Sequence, residues 1–429
     1  MMFKVLVIAY YFPPLGLSGV QRTLKFVKYM PTYNWLPTVI TTGNIAYFAH
    51  DQSLQKELEK LNIKVLRTNS FEPNALLSKL GTIKMPAEKI RKALNVLNQS
   101  IFIPDNKISW AKKAFEIASK ELTNEKYDAI FVSGPPFSSF LMAAKLKKKF
   151  DIPLIVDYRD LWYKSYFAIY PTPFHSLLHK RMEYTSLKAA DKIIVTNRKI
   201  KEKLLNAFKF LTFDDVVIIP HGFDPEDFAN AKKIPKTTDK MILTYSGIFL
   251  EYNTPKYFLQ AFKEITIERP DIASKIELHF IGYLRKENQK LIRKLKLQEF
   301  VKDFGYMNHD EAITKLLSSD VLWLMIGNKR NIDAILPGKM FEYFGSGKPV
   351  IACVPEGAAK LAAAEYGASF ITKPDDFNEI KETIYKVYKL YSEKALPVPD
   401  QNFIDKHRRD FLTETLVKQF QILIKEVVV

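Results

Sequence analysis

The chain has one cysteine, Cys353, in 429 residues, and seven histidines. The first count excludes an internal disulfide framework, and the two together leave little material for a structural zinc site. Such usage fits a reducing compartment. No apolar run approaches the roughly 18 residues needed to cross a bilayer, so no membrane span is expected. The opening run Lys4–Ala9 is short, has no small-residue cleavage site and is soon followed by Pro13-Pro14. It reads as a buried strand, not as a signal peptide. Internal repeats and low-complexity tracts are absent. Acid is scarce in one half only. Residues 1–200 carry 30 basic and 15 acidic side chains against 34 and 32 in the remainder, so the first half holds +15 of the net +17. A domain this positive can attract nucleic acid, anionic lipid or a phosphorylated substrate; lysine that serves only solubility is the plainer alternative.

What is present is a globular pattern: 47% hydrophobic and 26% charged residues with a mean hydropathy of −0.12 exclude both a disordered chain and a polytopic membrane protein. The length suits two domains. Short apolar runs that end in turn residues alternate with helical patterns throughout, the pattern of parallel sheets built from βαβ units. Thirteen strands are expected: Lys4–Ala9, Thr38–Thr41, Lys64–Arg67, Asp128–Val132, Leu154–Asp157, Lys192–Thr196 and Val216–Ile219 in the first half, then Met241–Tyr245, Ile276–Ile281, Lys302–Phe304, Asp320–Met325, Val350–Ala352 and Ser369–Ile371. Pro220–Pro225 followed by the polar stretch Ala231–Lys240 is the best linker. In two doubly wound domains, ligands belong at the carboxyl ends of the strands and in the cleft between the domains.

Candidate chemistry sits on such loops. The first, Tyr10–Arg22, carries Gly16 and Gly19 between a strand and a helix, where backbone amides can approach an anion, although its spacing matches neither a dinucleotide fingerprint nor a Walker loop. Near the far end, Pro337-Gly338 begins a helix with Lys339 in its first turn. A cation there opposes the helix dipole and suits an anionic ligand. Glu342 lies three residues on, on the same face. A surface Lys/Glu pair reads equally well from these residues alone. Asp157, Arg159 and Asp160 directly follow a strand, where an acceptor hydroxyl or phosphate would be handled; the same residues can form a structural Asp–Arg–Asp pairing. His221 reads as structural.

The stretch from Pro337-Gly338-Lys339 to Ser346-Gly347-Lys348-Pro349 resembles the donor site of the retaining GT-B glycosyltransferases of glycosyltransferase family 4. Tyr11–Pro14 through Gly19–Arg22, Ser133–Ser138, Asp157–Trp162 and Pro220–Asp224 resemble the family's other motifs. The resemblance implies an α/β GT-B fold of two Rossmann-like doubly wound domains facing across a cleft. An acceptor domain over residues 1–230 and a nucleotide-sugar domain over 231–402 are expected, with a final helix over 403–429 packing back towards the first domain. It further implies sugar transfer from a nucleotide diphosphate donor with retention and without a metal, the donor being substrate and no cofactor being required. By position, Glu342 would hold the ribose hydroxyls and Lys339 the diphosphate, with Gly247, Asn253, Arg330 and Gly338 completing the donor site. Asp157, Arg159 and Asp160 would be catalytic, and Gly16, Gly19, Arg22, Ser133 and Gly134 would form the phosphate or acceptor loop. The chain also departs from the pattern. The first of two glutamates that the family commonly spaces seven residues apart falls at Ala334, and the usual Arg and Lys after the first strand of the second domain fall at Ile248 and Asn253. Lys329 and Arg330 are candidates to supply the missing charge.

Between Asn74 and Phe115, basic residues including Lys79, Lys84, Lys89, Arg91, Lys92, Lys107, Lys112 and Lys113 interleave with Leu76, Leu77, Leu80, Ile83, Ile90, Leu94, Leu97, Ile101, Phe102 and Trp110. This mixture suits an anionic bilayer surface, and a solvated helix over a buried stripe is the alternative. Lys145 and Lys147–Lys149 form a second basic patch. A lipid-linked or otherwise membrane-borne glycan acceptor is therefore expected, in surface polysaccharide assembly, for a cytoplasmic protein peripheral on the inner membrane face. Two rival readings are a nucleotide-sugar epimerase of the same fold and a basic nucleic-acid-binding protein. The second lacks any recognised motif, so no nucleic-acid partner is expected.

Overall fold

The computed structural model describes residues 2–68, 81–83, 86, 88–232, 234–250 and 252–428. Lys79, Lys84, Leu76, Leu77 and Leu80 of the basic-apolar segment lie outside these residues, as does Glu251 of the loop near Asn253. The chain divides into two units, Met1–Pro220 with Arg409–Val429, and His221–Arg408. The sequence reading placed the divisions at 230 and 402. They fall at 220 and 408, where the two passing segments bind each other: Phe223 N donates to His407 O at 3.0 Å, and Phe223 bridges Arg408.

Among the described residues, unit 1 is built on seven strands: β1 (Phe3–Ala9), β2 (Trp35–Thr42), β3 (Lys64–Thr68), β4 (Ala129–Gly134), β5 (Leu154–Tyr158), β6 (Lys192–Val195) and β7 (Val216–Ile218). All pair in parallel, in the order β3-β2-β1-β4-β5-β6-β7. The central strands are mostly apolar and buried, with polar residues near their ends, as a parallel sheet covered on both faces requires. β2 begins three residues before the expected strand, because Pro37 sits within it opposite Val5. Helix Arg409–Val428 packs on this unit, placing Phe420 against Trp35 and Phe131 at ring separations of 4.8 and 6.1 Å.

Among the described residues, unit 2 has six strands: β8 (Met241–Ser246), β9 (Ile276–Ile281), β10 (Val301–Asp303), β11 (Val321–Met325), β12 (Val350–Cys353) and β13 (Ser369–Thr372), in the parallel order β10-β9-β8-β11-β12-β13. Its core centres on Trp323, which stacks on Phe258 at 3.9 Å and tilts against Tyr245 at 4.9 Å. In both sheets the strand order reverses beside the first strand, between β1 and β4 and between β8 and β11. In folds of this kind, ligands bind outside the carboxyl ends of the strands at such a reversal.

Candidate active site

In unit 1 three loops meet at the reversal point, and buried charge joins them. Arg22, on helix Ser18–Tyr29 after β1, grips Asp157 at the end of β5: Nε donates to Oδ1 and Oδ2 at 3.2 and 3.0 Å, and Nη2 donates to Oδ1 at 2.7 Å. Ser133 at the end of β4 donates to Oδ2 at 2.9 Å. Arg22 also donates to the Pro220 and Ile219 carbonyls at 2.7 and 2.9 Å. Both partners of this pair are almost fully buried. Both Asp157 oxygens are therefore engaged by Arg22 and Ser133.

Arg159 links the same loops through carbonyls, donating to Gly19 O, Gly134 O and Pro135 O. Burial lowers its pKa, which the adjacent Asp160 and Asp157 oppose. A side chain at Gly19 would crowd Arg159 Nη1 at 3.3 Å, and one at Gly134 would strike the Phe140 ring at 2.6 Å. Gly16 ties the first loop to Ala49 through a 2.9 Å backbone bond. Asp160 makes no hydrogen bond among the described residues, and burial raises its carboxyl, opposed by the Arg159 charge. A carboxyl without a hydrogen-bond partner at the end of a strand can exchange a proton with a hydroxyl.

Sequence reasoning missed what stiffens this loop from below. Trp162 stacks on Phe137 at 4.9 Å and donates from Nε1 to His179 Nδ1 at 3.0 Å. Glu183 accepts from Tyr163 N at 2.9 Å, and burial pushes its carboxyl up to about 8. Both His179 and Glu183 come from helix Pro173–Ala189, and no local motif marks them.

In unit 2 the residues expected to bind the donor converge on the end of β8. Lys339 lies in the first turn of helix Gly338–Gly345, and its Nζ donates to Tyr245 Oη at 2.7 Å and sits 4.0 Å from the centre of that ring. Burial brings its pKa down to about 7, with the Glu342 charge opposing. Gly247 must be glycine twice over. Its φ is +127°, and a Cβ there would stand 3.1 Å from Lys339 Nζ. The next helical turn holds the β8 end in place, since Ser246 N donates to Tyr343 Oη at 2.7 Å. Glu342 is mostly buried, with Oε1 3.9 Å from His309 Nδ1. Gly338 lies near His221, whose Nδ1 would be 4.0 Å from a Cβ at that position.

Other expected donor residues are placed differently. Asn253 Oδ1 accepts from Gly327 N at 3.1 Å, so this side chain ties the β8 loop to the β11 loop. Arg330 is exposed and makes no ion pair or hydrogen bond among the described residues. Lys329 is held 4.3 Å over the Tyr252 ring. Ala334 is buried, and the Asp333 carbonyl crowds Gly357, where a Cβ would lie 2.3 Å from it. Trp110 and Lys107 of the basic-apolar segment are buried in the core of unit 1, with Lys107 Nζ 4.8 Å over the Tyr10 ring. These two are corrections to the expected bilayer face, and they follow from packing on the sheet.

Residues 85–227 match the family model Glycosyltransferase Family 4, and residues 226–397 match the model Glycosyl transferases group 1. Among solved structures, sucrose-phosphate synthase from Thermosynechococcus elongatus aligns with a TM-score of 0.68 at 14% identity, covering 99% of this chain and 100% of that one. HepE of Anabaena, solved with UDP-glucose, aligns with a TM-score of 0.57 at 15% identity over 99% of each chain. WaaG, a glycosyltransferase involved in lipopolysaccharide biosynthesis, aligns at 0.58 and 13% identity, covering 97% and 99%. At such identities the likeness is one of fold. No curated protein sequence matches the chain.

Proposed function

The chain belongs to the GT-B glycosyltransferases, joining a family 4 module to a group 1 module, and from that premise we propose that it moves a hexose-type sugar from a nucleotide diphosphate donor to a glycan or lipid-linked acceptor. The observation that carries this reading is the Lys339 ammonium beside Gly247 at the strand-order reversal of unit 2, with Glu342 one turn further on. In the reaction the bond from the anomeric carbon to the diphosphate oxygen breaks, and a bond to an acceptor oxygen forms as that hydroxyl loses its proton. Lys339 and the first amides of helix Gly338–Gly345 meet the charge that develops on the leaving diphosphate. Glu342 receives the ribose hydroxyls. The acceptor belongs to unit 1, where Asp160 is the carboxylate suited to handle its hydroxyl, while Asp157, Arg22, Ser133 and Arg159 hold the loops. Retention, chemistry without a metal and no further cofactor belong to this reading and follow the family resemblance.

The test is incubation with a panel of nucleotide sugars, with and without a glycan-lipid extract as acceptor. Nucleoside diphosphate release that the acceptor accelerates, with a product that keeps the donor's anomeric configuration, is expected. Conversion of the nucleotide sugar with no acceptor would instead favour the epimerase reading.

An acceptor borne on the cytoplasmic face of a membrane is the favoured class, and helix Glu88–Ile101 supports it. Ile90, Leu94, Leu97 and Ile101 fall at helical spacing, and each is more than half exposed. Exposed Lys89 and Lys92 flank them, the latter paired to Glu88 at 2.7 Å. No described helix is long and apolar enough to cross a membrane, so this would be surface attachment. Each lysine near an anionic surface contributes about 1 kcal/mol. Replacing Lys89 and Lys92 with Gln should therefore weaken sedimentation with phosphatidylglycerol vesicles roughly 30-fold at low salt, with little binding to neutral vesicles by the parent. Equal binding by parent and variant would place the contact elsewhere.

A further inference from the structure

The carboxylate of Glu342 has a built support that no sequence motif announced. His309 is the first residue of helix His309–Leu317, whose start is set by a reciprocal capping box between Asn308 and Glu311. The imidazole is buried. Its Nε2 lies 2.8 Å from Asp227 Oδ2, on helix Pro225–Ala229, and its Nδ1 lies 3.9 Å from Glu342 Oε1. The first distance is a hydrogen bond; the second is within ion-pair reach but beyond a hydrogen bond. A neutral ring carries one N–H. If Nε2 holds it for Asp227, the Nδ1 lone pair faces a carboxylate, which is repulsive; the doubly protonated ring suits both neighbours.

We propose that His309, anchored by Asp227, is a positioning residue that aims the Glu342 carboxylate at the ribose hydroxyls of the donor, and that it does so as the imidazolium. The proposal rests on the assignment of Glu342 to the ribose. The charged groups around the ring bear on its protonation in opposite senses. Asp227 and Glu342 favour the imidazolium. The positive end of its own helix opposes it, and Asp310 and Glu311 in that first turn offset the opposition. Lys339, one turn before Glu342, competes for the same carboxylate. As pH rises and the ring loses its proton, the attraction that orients Glu342 disappears and selectivity for the ribose hydroxyls falls.

The test compares the dissociation constant of uridine diphosphate with that of its 2′,3′-dideoxy analogue, by calorimetry between pH 6 and 8.5; guanosine and adenosine pairs replace it if uridine does not bind. The ratio removes the direct action of Lys339 on the diphosphate common to both ligands, and repeating the series in Lys339→Ala removes that group's competition for Glu342, so a pH dependence of the ratio that persists in Lys339→Ala belongs to His309 and one that vanishes there overturns the proposal. The parent should favour the ribonucleotide, and its preference should shrink several-fold across that range. In His309→Gln the preference should fall roughly tenfold, at the low end of the about 10- to 100-fold loss seen when outer partners of metal-ligating side chains are removed. It should also no longer vary with pH, while inorganic pyrophosphate binds as before. Glu342→Gln separates the two levels of the argument. If Glu342→Gln keeps the ribose preference, the assignment of Glu342 fails, and this proposal with it. If Glu342→Gln loses the preference but His309→Gln keeps both its size and its pH dependence, only the positioning role is overturned. Should His309→Gln fail to fold, Asp227→Asn removes the anchor at Nε2, and an unchanged ratio in that variant overturns the proposal equally.

Discussion

Asp157→Asn should destabilise unit 1 by about 3–5 kcal/mol, the usual cost of leaving one partner of a buried ion pair without its counter-charge. Arg22 would keep its bonds to the Pro220 and Ile219 carbonyls, but its charge would sit in the core with no carboxylate to balance it. The loss should appear as a lower urea midpoint for unit 1, and the double variant Arg22→Met with Asp157→Asn should lose less than the sum of the two single changes. The two roles of Asp157 separate cleanly in this experiment. An anchoring carboxylate loses stability first, and activity only through unfolding. A catalytic one would leave the urea midpoint where it was and abolish turnover in a folded protein, an outcome that would contradict the assignment made here.

Lys339→Ala should weaken nucleoside diphosphate binding by about 1.5–3 kcal/mol, roughly 10- to 150-fold, since it removes a charge-assisted contact to phosphate. The bare nucleoside should bind parent and variant alike. The parent should also show a pH dependence that the variant lacks. With its pKa brought down to about 7 by burial, the side chain is an ammonium below that value and a neutral amine above it, so diphosphate affinity should fall as pH rises from 6 to 8. A bound diphosphate favours the ammonium and moves the fall to higher pH in the complex. Titration of both proteins at each pH checks this; equal affinities for the diphosphate would remove Lys339 from the site.

All thirteen described strands were legible in the sequence because parallel strands buried on both faces are short, largely apolar runs, and few other elements in a globular chain look like them. The misread start of β2 has a local cause: Pro37 interrupts the run, yet the ladder accommodates it opposite Val5. Lys339 and Glu342 were legible because a lysine in a first helical turn gains nothing from the helix itself. Asn253 was not, because its role depends on the Gly327 amide, which lies 74 residues away in sequence and comes near only through the sheet order. Asp227 and His309 are separated by 82 residues for the same reason. Tyr245 hid in plain strand composition, since an aromatic residue in a buried strand reads as core and only its hydroxyl, directed at Lys339, says otherwise.

The central claim is that unit 2 is a nucleotide diphosphate site, and calorimetric titration of the parent protein with a nucleoside, its monophosphate, its diphosphate and inorganic pyrophosphate tests it most directly. One saturable site is predicted, with affinity rising in steps from nucleoside to monophosphate to diphosphate, and with the diphosphate bound more tightly than pyrophosphate because Glu342 adds the ribose contact. Diphosphates of all four bases binding no better than pyrophosphate, or not at all, would contradict the account.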